Sequence, residues 1–266
     1  MFEFDFMRRA LLAGLMLSIM IPLIGVVMVN RKTSMIGDAL SHTSLMGVAL
    51  GLILSINPAI GAVVIAVLSA FAIEIIRKKF PQYGDMATAV IMSLGLGLAA
   101  ILSDFAPGGN TFESYLFGSI SAVTKTDLIF ISIVFLFIVL ISIIYYGALL
   151  DISINPNLAR LSGVKVKFIN FIFTLFSAIT IALAAKVIGA LMVASLIVLP
   201  VATALFIARS YKQSLILSVF LGVIYMMLGL TISFYYDIRP GGSIVVIAIL
   251  GMLVVGIISK CRKLKK

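Results

Sequence analysis

Long apolar runs separated by short polar gaps form the main pattern of this chain. Runs that approach the length of a membrane-spanning helix recur nine times, at 10–30, 36–56, 57–76, 86–103, 128–150, 168–185, 187–208, 213–236 and 241–259. A helix of about 20 apolar residues crosses the hydrocarbon core of a bilayer and pairs its own backbone groups there. The alternating dyads of a membrane β-barrel are absent from the sequence. The pattern therefore predicts an all-α, polytopic transmembrane helical bundle of eight or nine spans, formed as a single domain over 1–266.

The composition indicates that lipid surrounds most of the surface of this protein. Hydrophobic residues make up 62% of the chain and charged residues 11%, and the mean hydropathy is +1.26. Soluble domains carry about 25% charged residues. The formal net charge of +10 is spread between the apolar runs, which indicates orientation in the membrane and contact with anionic lipid, not nucleic-acid binding. The single cysteine, Cys261, excludes an internal disulfide framework.

The basic residues predict the direction of the spans. With the N-terminus outside, 15 of the 20 Lys and Arg residues fall in cytoplasmic gaps or in the C-terminal tail, and the rest are Arg8, Arg9, Lys125, Lys186 and Arg239. Cytoplasmic loops are enriched in Lys and Arg, so we expect a multi-pass protein of the cell membrane with an outside N-terminus and a cytoplasmic C-terminus. Spans two and three are separated only by Asn57–Pro58, and spans six and seven only by Lys186. A merged or re-entrant pair of segments is the alternative there.

Two gaps are longer than a turn requires. Residues 104–127 form an extracytoplasmic loop in this topology, with room for a short helix or a re-entrant segment. Residues 151–167 face the cytoplasm. Within them, Asn155 and Pro156 resemble an N-cap followed by proline at the first helical position, and Gly163 suits the end of a helix. We therefore expect a short surface helix on the cytoplasmic side.

Asp38 and His42 are the strongest candidates for chemistry. They lie four residues apart in the second span, and His42 is the only histidine of the chain. This spacing places both side chains on one helix face, at roughly 5–6 Å. Ionisable residues inside a span are functional candidates by default, and a carboxylate with an imidazole can bind one divalent cation. The alternative is an Asp–His hydrogen bond that only holds the helix in register.

Small residues accompany this pair along the second span, namely Gly37, Ser41, Ser44, Gly47 and Gly51. Such residues let membrane helices approach closely. Two ligands make half a metal site, and a symmetric dimer would bring together two Asp and two His side chains. That set suits zinc, manganese or ferrous iron. The residues are therefore candidates for binding a divalent metal cation, with no cofactor bound permanently.

Other residues carry weaker hypotheses. Glu113 and Tyr115 lie in the outside loop, where their oxygens either meet an entering metal cation or belong to an ordinary solvated loop. Pro22 in span one and Pro200 in span seven free backbone groups and predict helix kinks. Asp127 is expected to act as the N-cap of the span that follows it.

Catalytic motifs are missing from the sequence. It contains no Walker loop of the form G-x-x-x-x-G-K-[ST], so any ATP that drives this protein binds to another chain. An intramembrane enzyme is disfavoured because no G-x-S-x-G occurs and a single histidine excludes His-Glu-x-x-His. A secondary transporter or channel for divalent cations is one hypothesis for the function. Such proteins often contain inverted repeats, and we find no convincing repeat in this sequence.

Five motifs carry a resemblance to a known family. They are SMIGDALSHTSLMGVALGL at 34–52, YLFGSI at 115–120, NPNLARLSGV at 155–164, VIGALMVASLIVLPVATA at 187–204 and YYDIRPGGSIV at 235–245. Over nearly its whole length the chain resembles the membrane permeases of ABC-type zinc, manganese and iron importers. The resemblance implies a type II ABC importer-like permease that is not itself an enzyme. It also implies three partners: a second permease chain, a cytoplasmic ATPase and an extracytoplasmic metal-binding (lipo)protein.

The resemblance further implies roles for individual residues. Asp38 and His42 match the gating or metal-coordinating pair of the family. The predicted topology places them near the inner end of their span, so either the span starts deeper or the pair acts within the translocation path. The 151–167 gap matches the coupling helix that docks on the ATPase, and its matching residues are Asn155, Pro156, Leu158, Ala159, Arg160 and Gly163.

The coupling segment departs from the family pattern at two positions. The family usually has Asp-Pro-Glu where this chain has Asn155–Pro156–Asn157, which replaces two acids by amides and removes their charges from the contact with the ATPase. Docking by shape through Leu158, Ala159 and Gly163 is unaffected by this change.

Overall fold

The computed structural model describes residues 4–107 and 109–264, and all regular structure in these ranges is helical. The α-helices are α1 Asp5–Asn30, α2 Ser34–Ile53, α3 Pro58–Lys79, α4 Gly84–Phe105, α5 Gly109–Phe117, α6 Lys125–Ile144, α7 Tyr146–Ile154, α8 Pro156–Leu161, α9 Val166–Ile188, α10 Ala190–Leu205, α11 Tyr211–Tyr236 and α12 Pro240–Leu264. A short 3-10 helix, Pro81–Tyr83, precedes α4. The prediction of an all-α fold is confirmed.

Within the described ranges, eight helices are long and apolar enough to cross a membrane: α1, α2, α3, α4, α6, α9, α11 and α12. The ninth predicted span corresponds to α10, which is apolar but has only 16 residues. At 1.5 Å per residue α10 is about 24 Å long, which is less than the roughly 30 Å of a hydrocarbon core. The expected eight or nine spans are therefore confirmed, and α10 is the short member of the set.

The predicted span at 128–150 is wrong at its C-terminal end. The structure divides this run into α6 and α7, with a turn at Tyr145 between them. The Tyr145 N–H donates to the Ile141 carbonyl at 2.9 Å and closes α6. The apolar run continues across the turn, and hydropathy alone does not register a change in chain direction.

The break between α9 and α10 falls at Gly189, three residues after the predicted break at Lys186. Gly189 has a φ of 98°, a left-handed conformation that glycine adopts without strain. Lys186 instead belongs to the last turn of α9.

Helices α1 and α2 form the buried centre of the bundle. Helix α1 packs against α6, α10 and α11, and α2 packs against α3, α4 and α10. Gly47 and Gly61 let α2 and α3 meet backbone to backbone, because a Cβ atom on either glycine would overlap the carbonyl oxygen of the other. Membrane helices associate through such close contacts because apolar burial alone gives little attraction in lipid.

Both prolines that predict kinks lie inside helices, Pro22 in α1 and Pro200 in α10. Each helix continues through its proline, which leaves one carbonyl without an intrahelical donor. Pro22 faces α11, where a Cβ atom on Gly222 would lie 2.7 Å from the Pro22 Cγ atom. The kinks themselves stay predictions.

Candidate metal site

One row of α2 is open while the rest of this helix is covered. Asp38, His42, Met46 and Leu50 are partly exposed, and the other residues within 37–51 are buried. The four residues are spaced by four, so they share one helix face. Helices α3, α4, α9 and α10 pack against α2 and cover its remaining sides. We call these four residues the open row; it presents a carboxylate, an imidazole and a thioether to one side of the bundle.

The Asp38 and His42 side chains meet on the open row. His42 Nε2 lies 3.4 Å from Asp38 Oδ1, and the His42 and Asp38 side chains are 13% and 27% exposed. This separation is long for a direct hydrogen bond. The edge of a tetrahedral site with metal–ligand bonds of ~2.0–2.1 Å measures about 3.3 Å. A zinc-sized ion therefore fits against both atoms with little movement of either side chain.

The hydrogen bonding of the second ring nitrogen of His42 bears on how firmly the ring could hold a metal. His42 Nδ1 is buried and has no hydrogen-bond partner within the described part of the chain. A histidine that holds a metal permanently almost always donates from its other ring nitrogen, which orients the ring and strengthens the ligand. The His42 imidazole is therefore suited to brief contact with an ion, as transport requires.

One chain supplies only part of a metal site. Across residues 4–107 and 109–264, no third His, Cys, Asp or Glu side chain joins Asp38 and His42 to form a metal-binding group. Zinc prefers four ligands. The chemistry of the pair therefore calls for further donors from outside this chain.

Glu113 and Tyr115 do not come together in an open site. Glu113 Oε1 pairs with Arg239 Nη2 at 2.6 Å, and both side chains are about half exposed. Tyr115 is 2% exposed and packs in the core. Burial raises the pKa of the Tyr115 hydroxyl well above its usual value, and the negative charge of Asp127 raises it further. A buried neutral phenol is a poor ligand, so the structure gives the hypothesis of cation entry no support at Tyr115.

Sequence reasoning missed an ion pair between Asp127 and Lys186. Lys186 Nζ lies 2.6 Å from Asp127 Oδ2, and the two side chains are 14% and 5% exposed. The expectation that Asp127 is an N-cap is wrong, because Thr124 is the N-cap of α6 and Asp127 completes the capping box. The paired residues are 59 positions apart, so no local pattern signals their contact.

Three of the five sequence motifs meet beside this ion pair. The Ser119 N–H of the 115–120 motif donates to the Lys186 carbonyl at 3.3 Å. Phe117 lies against Gly189, where a Cβ atom would overlap the Phe117 backbone. The Arg239 guanidinium lies 4.0 Å from the centre of the Phe117 ring. These contacts hold the end of α5, the α9–α10 break and the start of α12 together.

The short helix predicted from Asn155 and Pro156 is present as α8. Asn155 Oδ1 accepts hydrogen bonds from the Asn157 N–H at 2.9 Å and the Leu158 N–H at 3.3 Å. Leu158 is 58% exposed and Leu161 is 84% exposed. The Asn155 amide oxygen therefore caps α8 as an aspartate carboxylate would. Helix α8 also presents two apolar side chains outward.

Two residues of the coupling segment differ in exposure from the expectation. Ala159 is 1% exposed and packs against Val166 and its neighbours, so its side chain holds α8 on the bundle, and its role in docking stays a prediction. The sequence does not predict the exposure of Leu161, because this exposure depends on which side of α8 packs on the bundle. Arg160 is exposed, and Gly163 has a φ of 84° just after the helix.

The described bundle of apolar helices, with a partly open Asp–His pair, is that of a polytopic membrane protein. The chain belongs to the ABC 3 transport family, whose family model matches residues 3–259. The resemblance stated from the sequence motifs is thereby confirmed.

Relatives and a solved structure match almost the whole chain. The high-affinity zinc uptake system membrane protein ZnuB of Haemophilus influenzae is 34% identical over 247 residues, which cover 91% of this chain and 94% of the relative. The manganese import system permease protein ScaB of Streptococcus gordonii is 33% identical over 266 residues, which cover 99% and 95%. PsaBC from Streptococcus pneumoniae in complex with Fab matches with a TM-score of 0.87 and 31% identity, over 99% of this chain and 96% of that chain.

Proposed function

We propose that this chain is the permease subunit of an ABC-type importer and that its substrate is a divalent transition-metal cation. The family and the names of two relatives, which describe zinc uptake and manganese import, support this class of substrate. One observation carries the proposal: the Asp38 carboxylate and the His42 imidazole lie 3.4 Å apart on the open row of α2. Ferrous iron is a further candidate, because the same two ligand types bind it.

A second copy of the chain would complete the ligand set. Two open rows that face each other across a twofold axis bring two Asp38 and two His42 side chains to one ion. The ion would then pass between the two permeases, after an extracytoplasmic binding protein has released it. The open row would line this path, and Met46 and Leu50 would line it beyond His42.

The depth of the pair favours a position within the path. Asp38 is four residues and His42 eight residues after Ser34, the first residue of the 20-residue helix α2. These positions lie about 6 Å and about 12 Å along a helix of about 30 Å. With the basic loop at Arg31 and Lys32 in the cytoplasm, both residues fall in the inner half of the membrane. We therefore assign the pair to the path, inward of any outer gate.

ATP binding and hydrolysis in a separate cytoplasmic subunit would drive the transport cycle. This sequence has no Walker loop, and its helix α8 exposes Leu158 and Leu161 beside a basic end of the bundle. Apolar side chains on a helix too short to span the membrane suit a protein contact. We assign α8 as the contact through which the ATPase switches access to the metal path.

Reconstitution into lipid vesicles tests this proposal. Vesicles that contain the chain and its ATPase, with the metal-loaded binding protein on the extracytoplasmic side, should accumulate radiolabelled zinc or manganese only when ATP is supplied. Ferrous iron is tested beside them. The variants Asp38→Ala and His42→Ala should lose this transport while still co-purifying with the ATPase. Transport by the chain alone, without nucleotide, would show a secondary transporter or channel instead. Full transport by both variants would reject the assigned role of the pair.

A further inference from the structure

A cavity lies at the end of the bundle that carries α8, and its lining includes none of the four residues of the open row. Its volume is about 270 Å³, and it opens between the end of α1, the end of α3, α8 and the start of α9. The charged side chains in its lining are Arg31, Glu74, Arg77, Lys78 and Arg160. Four cations thus surround the space and only one carboxylate offsets them.

The single carboxylate is already engaged. Glu74 Oε1 lies 2.6 Å from Lys78 Nζ on the same helix. The Arg31 guanidinium donates from Nη1 to the Asn170 amide oxygen at 3.1 Å, which is a neutral partner. In the part of the chain that the structure describes, no carboxylate lies within ion-pair distance of Arg31, Arg77 or Arg160. Three guanidinium groups therefore line the cavity without a bound counter-charge.

The environment of Arg31 shows that this positive charge is costly. Burial lowers the pKa of the Arg31 guanidinium, Glu74 opposes this effect, and the charge of Arg77 adds to it. Arg31 and Arg77 therefore repel each other across a partly dehydrated space. A buried charge is stabilised when an opposite charge pairs with it, so an anion in this cavity would relieve the repulsion.

The remaining wall of the cavity is apolar. Leu40, Val166 and Phe173 contribute to the lining beside the arginines. Basic pockets between membrane helices on the cytoplasmic side are typical sites for anionic lipid headgroups, with the hydrocarbon part against an apolar wall. Guanidinium groups are the preferred partners of phosphate because their paired N–H donors match its oxygens.

We propose that this cavity binds a phosphate-bearing anion, which Arg31, Arg77 and Arg160 hold between α3 and α8. The ligand is either the headgroup of an anionic phospholipid or free phosphate, and both share the group that the arginines bind. Because Pro156 and Arg160 belong to α8, a bound anion would connect the short helix to the membrane-spanning body. The inference rests on the cavity alone and does not depend on the transported metal.

Native mass spectrometry of the purified full-length chain tests the proposal. The probes are a phosphatidylglycerol, a phosphatidylcholine of the same chain length and inorganic phosphate. We expect retention of phosphatidylglycerol over phosphatidylcholine. Arg77→Gln and Arg160→Gln should each weaken binding about fivefold, which is the effect of one cation near an anionic lipid. Arg77→Lys should keep part of the binding, because it keeps the charge but loses the paired N–H donors of the guanidinium group.

The matched control is Lys167→Gln, which removes an exposed cation near the same end that does not line the cavity. Competition by millimolar phosphate would identify free phosphate as the ligand, and no competition would identify the lipid headgroup. Equal retention of both lipids without phosphate binding, or equal losses in Lys167→Gln and Arg77→Gln, would overturn the proposal. The ATPase is also added without nucleotide. Displacement of the bound anion by the ATPase would overturn the proposal, since the cavity would then hold an ATPase side chain.

Discussion

Asp127 and Lys186 join the first turn of α6 to the last turn of α9 through a bond of 2.6 Å between Oδ2 and Nζ. The same carboxylate oxygen accepts hydrogen bonds from the Thr124 N–H at 2.8 Å and the Thr124 hydroxyl at 2.6 Å. Three donors thus meet one oxygen atom in a buried place. The chain turns from α9 into α10 at Gly189, only three residues later, so this junction fixes where α10 begins.

Replacement of Lys186 by methionine should destabilise the protein strongly. The change leaves the Asp127 carboxylate buried without its cation, and breaking a buried ion pair in this way costs about 3–5 kcal/mol. The free energy of unfolding in detergent, measured by circular dichroism, checks this expectation. Lys125→Met is the matched control, because Lys125 lies two residues from Asp127 but is exposed. Equal losses in both variants would contradict a special role for the buried pair.

Removal of either proposed metal ligand of the open row should strongly reduce the proposed metal transport. Loss of even an indirect partner of a metal ligand costs about 10–100-fold in affinity or activity, so we expect at least a tenfold loss for Asp38→Ala and for His42→Ala. Met46→Leu keeps the side-chain volume at position 46 but removes the thioether. Retained transport in this variant would show that the thioether is not a ligand. Uptake of radiolabelled metal at equal amounts of membrane-inserted protein is the measurement.

An alanine at Gly47 should push α2 and α3 apart. Its Cβ atom would overlap the Gly61 carbonyl group, which is backbone and cannot turn away. Overpacking of this kind costs about 1–3 kcal/mol. Gly97→Ala is the control in α4, because a Cβ atom there meets nothing within 4 Å, and it should be neutral or stabilise by up to about 1 kcal/mol. Thermal unfolding of the isolated chain in detergent distinguishes the two.

Asn155 should tolerate aspartate but not alanine. Both Asn and Asp cap helices well, whereas loss of the cap costs about 1 kcal/mol and would loosen the start of α8. We expect Asn155→Asp to retain co-purification with the ATPase and Asn155→Ala to reduce it. If Asn155→Ala behaves as the parent chain does, the cap has no part in coupling.

A cysteine in the open row should cross-link two copies of the chain. The natural Cys261 is first replaced by serine, and Met46→Cys is added to this background. A disulfide needs Cα atoms about 4.4–6.8 Å apart, so oxidative dimers on a gel would place the two rows face to face. Leu136→Cys on α6 is the control, since Leu136 is 58% exposed but lies on another face. Dimers from Leu136→Cys alone would place the interface elsewhere.

Local pattern was sufficient to predict most of the helices. Each apolar run became helical, because no other structure satisfies its backbone in lipid, although the run at 128–150 divides into α6 and α7. The Asn155–Pro156 signal marked the start of α8 as expected. The predicted proximity of the Asp38 and His42 side chains is also observed, since a separation of four residues on a helix fixes which side chains meet. These features depend on residues close in sequence.

Features that depend on distant residues were not predictable in this way. Lys186 was counted only as a basic residue of an outer gap, and its partner Asp127 was read as a simple cap. Tyr115 and Ala159 were expected at sites of contact, but packing against other helices buries both. No local pattern reports which face of a short helix is turned inward, and that choice decided the outcome for Tyr115 and Ala159. The contact of Asp127 with Lys186 depends instead on how the long helices α6 and α9 pack against each other.

The length of α10 bears on how an ion crosses the membrane. A bilayer adjusts to a short helix by thinning beside it, at a modest elastic cost. Helix α10 lies directly against α2, where a Cβ atom on Gly37 would meet the Ile197 side chain at 2.5 Å. Gly37 is the residue before Asp38, so the shortest of the described candidate spans packs beside the start of the open row. On the proposed path, a divalent cation that leaves the pair would therefore move alongside a helix of 16 residues, where the neighbouring spans have at least 20.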